Sequence, residues 1–287
     1  MIILRLYYNN VITMISIIYK LCSVFLLFSN GISISYDESI TKQAINLSQA
    51  AYCVSDAWDC ETCMDNYKLN YVIDQHGERA IVGMNNKNTL FISIRGSENI
   101  MNWVDNIQVR KTTPYNDTNI EVSKGFYKAY TYLKNDIFDK LNILRSKYNT
   151  NNLLITGHSL GAAIGTLLAF DILYTNDNYN IEHLITFGSP RIGNDVFVKS
   201  FEKYNLLHYR VTHYNDIVPH VPQEFLDYLH IPSEIWYDEE NTNIKICDDN
   251  YTEEDNTCSD SCGPTKCTSI SDHLFYLNIS LGEDGMC

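Results

Sequence analysis

The run Leu153-Leu154-Ile155-Thr156 passes through Gly157-His158-Ser159-Leu160-Gly161 into a largely apolar stretch ending near Tyr174. A strand apolar on both faces cannot sit in a sheet with one wet side. It demands cover on both faces, the setting of a parallel sheet between helices. The two glycines permit a sharp strand-to-helix turn that lifts the Ser159 hydroxyl over the sheet. The same turn places the Leu160 amide at a helix N-terminus, where developing negative charge can be received. Glycine is scarce, 13 in 287 residues, so this spacing is not an expected accident.

The flanking sequence repeats the alternation. Leu69–Asp74 and Arg79–Met84 read as a hairpin closed by Gln75-His76-Gly77-Glu78, and Leu90–Ile94 as a short apolar strand. From Gly125 to Tyr148, apolar residues at Phe126, Ala129/Tyr130, Leu133, Ile137, Leu141 and Leu144 make one helical stripe. Leu184–Phe187 and Tyr209–Thr212 are further strands, separated by a helix around Val196–Tyr204. No Pro/Gly/Ser-rich linker divides this pattern. The expectation is one α/β domain over residues 36–287, with a mostly parallel central sheet flanked by helices.

Residues 1–35 read differently. An apolar run, Leu21 to Phe28, follows Lys20 and precedes Ser29, Gly31, Ser33 and Ser35, the pattern of a secretory signal peptide. Met14 is the better start for such a segment. The uninterrupted run is too short for the roughly 20 residues of a spanning helix, so no integral membrane segment is expected after signal removal. Of nine cysteines, Cys22 lies inside this segment, leaving eight, as a disulfide framework in an oxidising compartment requires. Cys60-Glu-Thr-Cys63 has the spacing of half a zinc site, but Cys258, Cys262 and Cys267 supply no matching pair. Sequons at Asn46, Asn116, Asn250 and Asn278 fit a secreted chain.

Charge narrows the partners. Thirty-five acids face 21 bases, for a net charge of −14. Nucleic-acid binding needs a basic footprint, which is missing. Much of the excess falls between Asp238 and Asp260, with nine acids against one lysine, and reads as a solvated loop.

A serine on such a turn needs a base and an orienting acid, in the chain order Ser…Asp…His for this topology. Asp171 and Asp195 fall in or at the start of helices, whereas Asp216 follows the strand Tyr209–Thr212. It therefore lies where loops leave the strand ends and sites collect. His183, His208, His213, His220 and His230 all follow Ser159, as does His273 near the C-terminal end, in Ser271-Asp272-His273-Leu274. The position of His273, at a loop-to-helix junction, suits the base.

Gly157-His158-Ser159-Leu160-Gly161, Phe187-Gly188-Ser189-Pro190-Arg191-Ile192-Gly193-Asn194, Asn215–Pro222 and Asp272-His273-Leu274 together resemble the fungal-type (class 3) lipases. So does Ile94-Arg95-Gly96-Ser97 followed by Asn102-Trp103. Ala51-Tyr52-Cys53, Trp58–Cys63 and Cys287 resemble the secreted branch, and the likeness runs over about residues 40–287. The resemblance implies an α/β-hydrolase-like fold, no metal or other cofactor, and hydrolysis of acylglycerols or related esters at a lipid–water interface. It implies Ser159 as nucleophile, Asp216 as orienter, His273 as base, and Ser97 with the Leu160 amide as oxyanion hole. Where many members have Asp after the lid tryptophan, this chain has Asp105-Asn106.

The secreted branch further implies a Cys53–Cys287 bridge. Cys60–Cys63 would close a small loop, and the others pair most simply as Cys247–Cys258 and Cys262–Cys267. Ile100, Trp103, Val104 and Ile107 fall at i, i+3, i+4 and i+7, opposed by Glu98, Asn102 and Asp105/Asn106. As a lid, this helix, with Met101 beside the stripe, covers Ser159 in water and turns outward on lipid. The same spacing also suits a permanently packed helix with Trp103 in the core. The expectation is a secreted, monomeric triacylglycerol lipase. A feruloyl-type esterase or phospholipase A1 shares the scaffold, and a non-catalytic secreted binding protein on the same fold is the remote alternative.

Overall fold

The apolar runs assemble into an eight-stranded sheet whose spatial order is β1-β2-β3-β6-β7-β8-β9-β10. The strands are β1 (Tyr67–Gln75), β2 (Glu78–Asn85), β3 (Leu90–Ile94), β6 (Asn152–His158), β7 (Asn180–Phe187), β8 (His208–His213), β9 (Glu234–Tyr237) and β10 (Ile244–Ile246). Strands β3, β6, β7, β8 and β9 run parallel, with antiparallel neighbours at both edges. Short ladders β4 (Lys111–Thr112) with β5 (Val122–Ser123), and β11 (Phe275–Tyr276) with β12 (Ile279–Ser280), lie outside it. The computed structural model describes residues 36–249, 252–282 and 287. The signal segment (1–35), Cys22 and the Asn250 sequon lie outside them.

Alternation along the strands sorts side chains onto two faces. Leu90, Ile92, Ile94, Leu153, Ile155 and Leu184 join the core with α3 (Lys124–Tyr148) and α4 (Leu160–Thr175). The α3 stripe is buried as its spacing predicts, and Ser123 caps its first turn through the Phe126 amide. Helix α4 is apolar all round and buried from Leu160 to Ile172, so it is the central helix of that layer. Helix α5 (Asp195–Glu202) joins through Phe197 and Phe201 against Phe170. The other face is covered by α1 (Glu38–Cys53), where the buried Ser48 hydroxyl meets that of Thr156 on β6 at 2.9 Å.

Helix α2 (Ile100–Asp105) follows β3, and short helices α6 (Gly263–Lys266) and α7 (Ile270–His273) lead into the C-terminal hairpin. Asp37–Cys287 forms one compact unit. Among the described residues, no helix is long and apolar enough to cross a membrane. Cysteines pair as Cys53–Cys287, Cys60–Cys63, Cys247–Cys258 and Cys262–Cys267. Among the described residues, two clusters of conceivable metal ligands each contain two such half-cystines, and the thiolate is the ligating form of cysteine.

The acidic run departs from expectation. Asp238 stays at the surface, accepting from the Thr242 and Asn243 amides, but two other acids turn inward to meet buried arginines. The inward pair is Asp249 and Glu254, whose side chains are 1% and 7% exposed. Glu254 takes Arg191 in a fork at 2.8 and 2.7 Å, and Asp249 shares Arg210 with Glu234 at 2.9 and 3.2 Å. Burial raises the Asp249 carboxyl to about 6, with one guanidinium serving two acids. Glu254 is held well below its usual range: burial alone would raise it, but His230, Arg191 and Arg210 outweigh that.

The two acids therefore act with opposite sign. The Asp249 penalty is absent below its unfolded value of 3.8 and complete above about 6. The Glu254 contribution is complete above its unfolded value of 4.5 and is lost as pH falls further. In thermal melts from pH 4 to 8, Asp249→Asn is expected to gain a few degrees at pH 7–8, with the gain shrinking toward pH 4. Glu254→Gln is expected to lose up to roughly 3–5 kcal/mol at neutral pH, because the buried Arg191 loses its bidentate carboxylate and keeps only the more exposed carboxylate of Glu224 at 3.5 Å.

Candidate active site

The parallel strands end along one edge, and the register brings Ile94 opposite Gly157 and His158 opposite Phe187. Between β6 and α4, Ser159 adopts φ 60° and ψ −127°, a conformation most side chains avoid. Its amide donates to the Phe187 carbonyl at 2.9 Å. A Cβ on Gly161 would lie 2.0 Å from the Ile94 carbonyl oxygen, so only glycine lets α4 approach β3 this closely.

Asp216 lies in the turn after β8. His273 Nδ1 approaches its two carboxylate oxygens at 3.0 and 2.9 Å. The Val218 amide donates to Oδ1 at 2.7 Å, and the Tyr276 hydroxyl donates to Oδ2. An ionised carboxylate only accepts, so His273 carries its proton on Nδ1 and turns the Nε2 lone pair away from Asp216. Ser159 Oγ and His273 Nε2 are both buried without a hydrogen-bond partner, and both residues line one chamber of about 150 Å³. Ser97, Glu98, Ile100, Leu274 and Leu281 complete much of its wall. Ser159 is 1% exposed and the His273 side chain 0%, so both lie at the buried end of the chamber.

The structure thus brings Ser159, Asp216, His273 and Ser97 to one place, while Leu160 opens α4 directly beside them. In α2, Ile100 is buried and faces the chamber, Trp103 stacks on Phe126 at 5.9 Å, and Met101 is 56% exposed. Val104 is half-buried and Asp105 exposed. The other histidines have different partners. His208 meets the Leu206 and Pro232 carbonyls, His213 that of Asp272, and His230 that of Pro219. His220 lies beside Asp260, and His183 is half-buried on β7.

Three residues of this site escaped the sequence reading: Tyr276, Tyr52 and His158 as more than a spacer. Tyr52 Oη lies 2.8 Å from His158 Nδ1 and 3.0 Å from the Gly96 amide, and His158 Nε2 lies 2.8 Å from the His273 carbonyl. Burial drives the His158 pKa well below its usual value, so the ring is neutral.

Comparison with known proteins gives the same family. The model for lipase (class 3) matches residues 91–226. A lipase of Rhizopus niveus is 29% identical over 260 residues, covering 86% of this chain and 64% of that protein. A lipase of Rhizomucor miehei is 28% identical, covering 84% and 71%. In sequence and in fold the chain is similar to the class 3 lipases. Lipase II from Rhizopus niveus superposes with a TM-score of 0.79 at 26% identity, covering 85% of this chain and 96% of that one. A triacylglycerol lipase whose catalytic centre is a serine protease triad gives 0.77 at 26%, covering 87% and 97%. The chain spans 64% of the length of the Rhizopus niveus relative from the sequence comparison.

The close approach at the turn has a direct test. Gly161→Ala is expected to cost about 2 kcal/mol or more in denaturant unfolding, since the new methyl meets backbone rather than a movable side chain.

Proposed function

We propose that this chain is a secreted triacylglycerol lipase acting through Ser159, His273 and Asp216. The observation that carries the reading is the pair of buried, unpartnered atoms, Ser159 Oγ and His273 Nε2, on one chamber beside an apolar helix. In the reaction, His273 Nε2 takes the Ser159 proton as Oγ attacks the ester carbonyl. Asp216 keeps the proton on Nδ1 and stabilises the imidazolium. Ser97 and the Leu160 amide receive the oxyanion. His273 then protonates the leaving alcohol, and water, deprotonated by the same ring, releases the acid from Ser159.

The chamber supports a lid. A space of about 150 Å³ is the size that holds a benzene molecule, too small for an acylglycerol. Substrate entry requires α2 to move, carrying Ile100, Trp103 and Val104 outward. Their burial is worth a few kcal/mol, which a lipid surface returns to the open form. The apolar lid favours acylglycerols over aryl esters or phospholipids. Residues 36–287 form the catalytic domain, released as a monomer after removal of 1–35. Secretion agrees with relatives named as secreted mono- and diacylglycerol lipases in Fusarium solani and Malassezia globosa. Asn116 and Asn278 are exposed and available for glycans, while Asn46 lies in α1 and donates to the Lys42 carbonyl.

On soluble nitrophenyl esters, Ser159→Ala and His273→Ala are each expected to lose several orders of magnitude in kcat, and His220→Ala to keep most activity. Equal turnover by wild type and Ser159→Ala would exclude the serine mechanism. With tributyrin titrated through its solubility limit, the rate should rise sharply once an emulsion forms. Plain saturation below that limit would favour an esterase without a moving lid.

A further inference from the structure

The loop Arg95–Glu98 bears Ser97, yet its Gly96 amide finds its partner on α1, 44 residues away in sequence. Gly96 N–H can only donate, so the Tyr52 oxygen accepts from it. The His273 carbonyl can only accept, so His158 carries its single proton on Nε2. His158 Nδ1 must then accept from the Tyr52 hydroxyl. All three bonds are satisfied in this one direction: Gly96 to Tyr52, Tyr52 to His158, and His158 to the His273 carbonyl.

From this geometry we infer that Tyr52 is a positioning residue, which holds the Ser97 loop and the backbone of His273 in one register through His158. The inference rests on the serine-hydrolase reading and adds to it a residue outside the triad.

Two features make Tyr52 more than a packing residue. A Cβ on Gly96 would lie 2.3 Å from the Tyr52 oxygen, so the hydroxyl bears directly on this peptide. Tyr52 is also rigidly mounted. On the same face of α1, Gln49 exchanges two hydrogen bonds with the Gly282 backbone at 3.1 and 3.0 Å, and Cys53 is bonded to Cys287. Displacing an oxyanion donor by a fraction of an ångström weakens its bond to the transition state while leaving substrate binding almost unchanged.

Tyr52→Phe removes one oxygen and keeps the ring that lines the chamber, so the fold is retained. On nitrophenyl butyrate, kcat is expected to fall about tenfold to a hundredfold with KM within about threefold. The loss should be non-additive with Ser97→Ala: in that background, Tyr52→Phe should cost little further. A kcat within twofold of wild type would overturn the inference, even with a lowered melting temperature, since that is what a structural role gives. Additive losses would overturn it as well. If wild-type protein itself leaves the ester intact, the serine-hydrolase reading fails instead, and the control arm shows it.

Discussion

The site depends on one close approach, that of the first turn of α4 to the end of β3. Where Gly161 passes the Ile94 carbonyl there is no room for a side chain, and this contact sets how steeply the helix leaves the strand. The steep exit forces Ser159 into its positive-φ conformation and aims its hydroxyl at the strand ends rather than into the core. The Phe187 carbonyl holds the turn from the neighbouring strand. The reactive geometry is thus a property of the sheet and its central helix, the most buried parts of the molecule.

Around this rigid turn the chamber holds polar atoms in an uncomfortable state. Ser159 Oγ and His273 Nε2 have neither a protein partner nor access to bulk water. Unpaired buried polar groups cost about 1–3 kcal/mol each, which the packing around the chamber offsets. The inward face of α2 and the stack of Trp103 on Phe126 supply part of it. If α2 moves as proposed, closed and open forms differ by a balance of a few side chains.

Most of the fold was legible because its signals are local. The apolar strands and the α3 stripe lie where their spacing placed them, though β7 starts earlier and β6 runs on through Gly157 and His158. Strands β9 and β10, of four and three residues, are too short to carry a period. At the candidate site, a turn motif, a strand end and chain order singled out Ser159, Asp216 and His273, which the structure places together. Tyr52 was not, because its partner His158 lies 106 residues away and nothing near a tyrosine tells where its hydroxyl goes. The acidic run misled for the same reason. Nothing local distinguishes Asp249 and Glu254 from their solvated neighbours, and the arginines that pair with them lie far off in sequence, Arg210 on β8 and Arg191 in the loop after β7.

The bridge between Cys53 and Cys287 joins residues 234 apart in sequence, with Gln49 and Gly282 latched beside it. During synthesis, α1 and the Ser159 turn leave the ribosome well before the segment that must meet them. On the proposed mechanism, a growing chain therefore carries its nucleophile long before its base. The arrangement proposed as competent forms only once His273, the hairpin after it and Cys287 have emerged and taken their places, so their arrival is itself the event that arms the site.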